Sequence, residues 1–356
     1  MNNKLFVDIH VLETVPPSCI NRDDTGSPKT AVYGGTVRAR VSSQCWKKAM
    51  RSMFTETLPE ELLGKRTKMV YVLLTDAIRQ RNPDLKAEKL AEEVLKTAGL
   101  SLKEDKGTQK TGALFFISLG QINALADLAV RNASGKFEKK ECQAALKDNP
   151  SVDVALFGRI VADDPSLNYD AAAQVAHAIS THTVHNEYDY FTAVDDCAPE
   201  DNAGAGHLGT VEYNSSTLYR YATIDVEELV RHLGKDTIAA VRAFVQAFIL
   251  SMPTGKQNTF ANNVLPDAVY VALRHDRPIS LVGAFETPVR TKNGGYVEES
   301  IHAFISHAKQ VYNDYLGEPD TAFAIGDELS ELAQTMPLNA LLERLESAVT
   351  NFGGFA

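Results

Sequence analysis

Hydrophobic and polar residues alternate from Leu5 to Val11, a spacing that predicts a strand with one face in the core and one in water. A second alternation runs from Thr36 to Val41. It sets Val37, Ala39 and Val41 on one side and Thr36, Arg38 and Arg40 on the other, as a half-buried strand with a basic outer face. The pair Ser42-Ser43 follows, and either hydroxyl can cap a helix by accepting from a first-turn N–H. Along that helix Trp46, Met50, Met53 and Phe54 share one side, while Gln44, Lys47, Lys48 and Arg51 share the opposite side.

Helical spacing recurs over Met69–Ile78, Ala87–Ala98, Leu119–Val130 and Glu138–Leu146, with a turn-rich break at Gly107–Thr111. This mostly helical block reads as an insertion, and Ala171–Ile179 reads as a further small-residue helix. Val211–Tyr213 and Thr217–Tyr221 flank the polar Asn214–Ser216 and predict a protruding hairpin. Helices over Val226–Leu233, Thr237–Met252, Glu298–Tyr315 and Leu338–Val349, with a strand at Ala268–Leu273, complete the chain. Strand–helix pairs at both ends, separated by inserts, predict an α+β fold.

Charge sharpens the picture. The 356 residues are 44% hydrophobic and 23% charged, as in a soluble globular protein, with formal net charge −10. Against that, Pro16–Arg51 holds seven cations (Arg22, Lys29, Arg38, Arg40, Lys47, Lys48, Arg51) and two acids, Asp23 and Asp24. A basic patch on an acidic protein marks where a polyanion could sit, and a phosphodiester backbone suits its cations, hydroxyls and helix N-terminus. The alternative is the solvated face of an ordinary amphipathic helix. The segment Pro16–Gly35, rich in Pro, Gly, Asp and Ser, reads as a long loop. No run of 18 apolar residues and no signal-peptide core is present, so a cytoplasmic protein away from the membrane is expected. Cys19, Cys45, Cys142 and Cys197 are scattered, as reduced thiols are.

Familiar motifs fail on context. Gly204, Gly206 and Gly209 match G-x-G-x-x-G, but a loop precedes and a strand follows, the wrong setting for a dinucleotide fold. Gly255-Lys256-Gln257 lacks the first glycine and the Ser/Thr of a P-loop, although Lys256 and Gln257 suit a phosphate contact. His177, His182 and His185 have no zincin Glu or cysteine pair, which favours structural histidines. Asp23-Asp24, Asp163-Asp164 and Asp195-Asp196 are acid pairs of the kind a two-metal nuclease could use, but adjacent carboxylates commonly form turns and helix caps, and the last two pairs are read as solvated. No G-x-S-x-G elbow recommends a hydrolase.

The opening FVDIHVLETVPPSCINRDDTGSPKTAVYGGTVRARVSSQCWKKAMR, with HAISTHTVHNEYDYFTAVDD, AGHLGTVEYNSSTLYRYA and GKQNTFA, resembles the CasC family. These are the backbone subunits of type I-E CRISPR Cascade, in the Cas-seven superfamily. The blocks span both ends and the centre in order, while Glu60 to about Pro150 matches loosely. The resemblance implies a ferredoxin-like palm, a modified RNA-recognition motif, with a helical fingers insertion and a β-hairpin thumb. The corresponding segments are 1–58 and 224–356 for the palm, 59–191 for the fingers and 192–223 for the thumb.

It further implies several copies of the chain along one CRISPR RNA, joined by other Cascade subunits, with the guide's bases left free to pair with target DNA. Such a protein avoids base-specific contacts, because it carries every guide sequence. Arg22, Lys29, Ser42, Gln44, Lys47, Arg51 and Lys256 match the family's guide-binding positions. Gly206, His207 and Thr210 fall in the thumb segment that folds over a neighbour's guide, and Ile160, after Gly158-Arg159, stands where the family carries an apolar wedge. With the basic neighbours Arg38, Arg40 and Lys48, and with Gln257 beside Lys256, these form the expected RNA-binding set. No catalytic residue, metal or cofactor is expected. The rival readings are a metal-dependent RNA endonuclease subunit of a related effector complex, using Asp23 and Asp24 with a histidine, and a generic single-strand RNA-binding protein.

Overall fold

The computed structural model describes residues 4–161, 164–193, 207–292 and 294–353. The chain forms two compact units. One comprises residues 1–53, 175–223 and 244–347; the other comprises 54–174, 224–243 and 348–356.

In chain order, the first unit opens with β1 (Phe6–Ser18), β2 (Thr30–Tyr33), β3 (Thr36–Val41) and the start of α1 (Ser43–Thr57). The second unit carries β4 (Gly64–Thr67), α2 (Val70–Arg81), α3 (Ala87–Ala98), β5 (Leu102–Asp105), β6 (Thr108–Thr111) and β7 (Phe115–Ser118). It continues through α4 (Leu119–Arg131), α5 (Lys139–Lys147) and α6 (Val152–Phe157). Then come β8 (Ala173–Val175), β9 (Ala178–Ser180), β10 (Glu187–Ala193), β11 (His207–Asp225), α7 (Val226–Leu233), α8 (Thr237–Leu250) and α9 (Gln257–Phe260). The chain ends with β12 (Ala268–Arg274), α10 (Val297–Val311), β13 (Thr321–Ile325), β14 (Gln334–Thr335) and α11 (Leu338–Gly353).

Among the described residues ten strands join in one sheet, ordered β14-β13-β12-β1-β11-β9-β3-β2, with β8 and β10 also paired to β11. The fold is therefore mixed α/β around a large sheet. Its middle strands are β1 and β11, and β1 pairs on its other edge with β12, antiparallel and in register from Phe6↔Arg274 to Leu12↔Ala268.

The water-facing side expected for β1 does not exist. Asp8 and His10 are buried, because the interior supplies partners. The Tyr221 hydroxyl and the Ile279 N–H donate to Asp8, and Tyr219 bonds His10 Nδ1. Polar residues can thus occupy a core face when each finds its hydrogen bond. The expected loop after Pro16 is also shorter, since β1 runs to Ser18 and β2 begins at Thr30.

Two further expectations are corrected. Ala171–Ile179 is not helical: Ala173, Val175, Ala178 and Ser180 are buried in β8 and β9, whose pairing with β11 and β3 overrides the alanine-rich helical spacing. The hairpin does not turn at Asn214–Ser216, which lie inside the continuous strand β11. Its arms are β10 and the first part of β11, paired from Glu187↔Tyr213 to Ala193↔His207. In-strand polarity is satisfied locally, with Asn214 donating to Asn186 and the Ser215 hydroxyl donating to Val15 O.

In the second unit the helical spacing holds. Leu74, Ile78, Val94, Leu95, Leu125 and Leu128 form its core. α4 starts at a capping box, Ser118 accepting from Gln121 N while Gln121 Oε1 accepts from Ser118 N.

Candidate nucleic-acid interface

The start of α1 positions the basic segment. Ser42 Oγ accepts from Cys45 N at 3.3 Å, and Ser42 N donates to Asn21 Oδ1 at 2.9 Å. The first bond caps the helix; the second ties it to the preceding loop. Trp46, Met50 and Phe54 are fully buried, as the spacing predicts, while Met53 is only half-buried, and the three hold the helix so that its other sides point outward.

The loop itself is built by Asp23. One carboxylate oxygen, Oδ1, accepts from Thr25 N, Thr25 Oγ1 and Ser27 N, an Asx-type turn. These bonds, led by the Thr25 hydroxyl, hold the Asp23 carboxyl below its ordinary range. Arg22 bridges to Pro28, and Lys29 N donates to Asn21 O, so Arg22 and Lys29 leave the base of one small closed loop.

A third segment completes the site. Gly255 approaches Ile20 so closely that a Cβ there would stand 2.2 Å from Ile20 O, which only glycine tolerates. Next to it Lys256 adopts the left-handed conformation, φ 51°, at the start of α9. A non-glycine residue in that region costs on the order of 1–3 kcal/mol and persists where surrounding structure demands it. Arg22 and Lys48 line one groove of about 690 Å³ with Lys256, together with Asn21, Asp24 and Ser52. Burial pushes the nearby Cys19 thiol up, and Arg22 and Lys256 pull it back.

Of the helix residues, Lys48 lines this groove beside Cys45, Ala49 and Ser52, whereas Gln44, Lys47 and Arg51 are not among its lining residues. Gln44 is exposed; Lys47 and Arg51 are half-buried, and burial pushes the Lys47 ammonium down. Gln257 is partly committed, its Nε2 donating to Asn263.

Arg38 departs from its expected place on a basic outer face. It is 0% exposed and donates to Tyr33 O, Thr36 Oγ1, Ser180 O, Thr181 O, Phe285 O and Glu286 O. A guanidinium spent on core carbonyls is out of reach of a phosphate. Its neighbour Val37 is the exposed one. Arg40 does face outward, donating to Thr30 O and bonding His177 Nδ1. Alternation alone could not separate the two arginines, because the hydrogen-bonding carbonyls come from distant segments.

Thr210 is exposed on β11, whose backbone begins at His207; Gly206 lies outside the described residues. Alongside, β10 is exposed throughout and displays Tyr188 and Tyr190. In the second unit Ile160 is 89% exposed, next to a buried Arg159 that donates to Phe116 O, Leu146 O and Leu167 O. Arg159 pins the backbone there, so the isoleucine side chain is held out in water.

His182 cannot serve as a metal ligand in this arrangement: Nδ1 bonds Thr183 O and Nε2 accepts from Thr217 N. Sequence reading missed Asn21, which links the loop to α1. Apart from the family resemblance, which set Arg22 and Lys256 in one binding set, pattern and charge gave no signal that would bring residues 252–256 against residues 20–26, since that contact is tertiary.

A model of the CT1975-like protein family matches residues 7–349. No curated protein sequence matches. A chain from a structure described as "CRISPR RNA-guided surveillance complex, pre-nicking" is 33% identical, with TM-score 0.83, 97% of this chain covered and 100% of that one. Another, from a "CRISPR RNA-guided surveillance complex", is 30% identical with TM-score 0.64, covering 96% and 99%.

Proposed function

The chain belongs to the CT1975-like protein family, and on that premise we propose that it is a Cas-seven-type backbone subunit of a CRISPR surveillance complex, the CasC subunit of a type I-E Cascade. Several copies bind one CRISPR RNA along its sugar-phosphate backbone, beside other Cascade subunits, and leave its bases to pair with target DNA. The observation that carries this reading is the groove where Arg22, Lys48 and Lys256, from three separate segments, converge. Cations gathered this way suit phosphates and carry no base code.

On this reading the large sheet with its helices is the RNA-recognition-like palm, the second unit supplies the fingers, and the β10–β11 arm is the thumb. Ile160 is a wedge, exposed because it meets nucleic acid. The protein is a cytoplasmic scaffold and performs no catalysis. The rival endonuclease needs Asp23 as a metal ligand, and the three hydrogen bonds to its Oδ1 favour a turn-forming role instead.

Co-expression with the neighbouring genes of its operon tests the proposal. Purification through this chain should recover repeat-derived RNA of uniform length in a multi-copy complex. Recovery of the chain alone, or of heterogeneous RNA on single copies, would refute it.

A further inference from the structure

His177 is an exposed imidazole just before β9. The antiparallel register Arg40↔Ile179 and Val41↔Ala178, continued by one residue, sets it opposite Ser42, the cap of α1. Arg40 Nη1 lies 3.1 Å from His177 Nδ1. A guanidinium only donates, so Nδ1 must accept, and the ring proton resides on Nε2. Arg40 is itself pinned by its Nε bond to Thr30 O. Burial, then Arg40, then Lys29 all hold the His177 pKa below its ordinary value, in keeping with the neutral ring that the Arg40 bond requires.

The spot thus combines two cations, a helix N-terminus and a neutral N–H whose direction is fixed by the bond at the opposite ring nitrogen. Both charge and helix end favour an anion. Resting on the guide-binding reading above, we infer that His177 is a further contact to the guide's sugar-phosphate backbone, donating Nε2–H to a backbone oxygen beside the α1 N-terminus. Arg40 orients the ring, and Arg40 and Lys29 supply the charge.

A neutral donor has a signature that a cation lacks: it adds affinity and releases no counterion. The full chain is titrated with single-stranded RNA of guide length at several salt concentrations, as wild type, His177→Phe, His177→Gln and the double variant Lys48→Glu/Lys256→Glu. His177→Phe should bind about tenfold more weakly, the scale of one hydrogen bond to a charged group, with an unchanged log–log salt slope and unchanged melting temperature. His177→Gln, which restores an N–H at similar reach, should recover most of the loss. Unchanged affinity in His177→Phe, a slope reduced by roughly 0.7, or equal losses in both histidine variants would overturn the inference. The double variant separates the two layers. If it loses binding while His177→Phe does not, this contact alone is wrong; if it binds as wild type, the guide-binding reading fails and this contact with it.

Discussion

The guanidinium of Arg220 lies 3.6 Å from the centre of the Trp46 ring. Both side chains are buried, and Arg220 also pairs with buried Glu13 and donates to Phe248 O. This stack fastens α1, which carries Lys48 to the groove, onto the central strand β11.

Removing either member should therefore disturb the platform and not the charges. Trp46→Ala should destabilise by about 3–5 kcal/mol through the cavity it leaves. Arg220→Met should cost about 3–5 kcal/mol, because Glu13 is then buried without a partner. Pairing it with Glu13→Leu should recover most of that loss. Urea denaturation checks the cycle; additive losses would contradict the coupling.

Asp8 titrates unusually. Burial raises its pKa from 3.8 to about 6, against hydrogen bonds that lower it. A carboxyl whose folded pKa is raised contributes stability that is full below the unfolded pKa, near 4, and lost as pH rises through about 6. Asp8→Asn removes that loss, at most about 3 kcal/mol. The stability difference between variant and wild type should grow from pH 4 to pH 6.5 and then level off. His10, held down to about 3 by burial, is common to both proteins and cancels. A difference independent of pH would contradict the assignment.

Arg38 and Lys48 should separate cleanly. Arg38→Ala leaves carbonyls of Ser180, Thr181, Phe285 and Glu286 short of a donor, so thermal stability falls while the salt slope of RNA binding by folded protein stays constant. Lys48→Glu should do the reverse. Melting curves beside salt titrations decide it, and a changed slope in Arg38→Ala would be the contrary result.

These contrasts mark what was readable in the sequence. The helix Ala87–Ala98 appears with its expected limits, because a strict apolar face ends at Gly99, whose φ is +99°. A serine cap at Ser42 or Ser43, found at Ser42, and a buried side of Trp46, Met50 and Phe54 were equally legible, since cap chemistry and period are local, although Met53 on that side is only half-buried. Asp8, His10 and Arg38 misled, because each is polar yet buried against partners far away in sequence. Asn214–Ser216 misled for a related reason: side-chain bonds to Asn186 and Val15 let turn-forming residues stay in a strand. Among the site residues, charge pointed to Arg22 and Lys48, and the Gly255-Lys256-Gln257 motif and the resemblance to Lys256, but the groove that joins the three is seen only in the fold.

Ile160 offers a test in the second unit. At 89% exposure, Ile160→Asp should change folding stability by no more than about 0.5 kcal/mol. If the residue is a wedge against nucleic acid, the same variant should weaken target-strand pairing by the assembled complex several-fold. Wild-type pairing kinetics in the variant would remove that role.

The central claim is that the groove holds an RNA backbone by charge, and the salt dependence of binding measures that directly. For Lys48→Glu/Lys256→Glu, the log–log slope of affinity against salt should fall by roughly 1.4, two phosphate contacts at about 0.7 each, with the melting temperature unchanged. A slope and affinity equal to wild type in this variant would contradict the account.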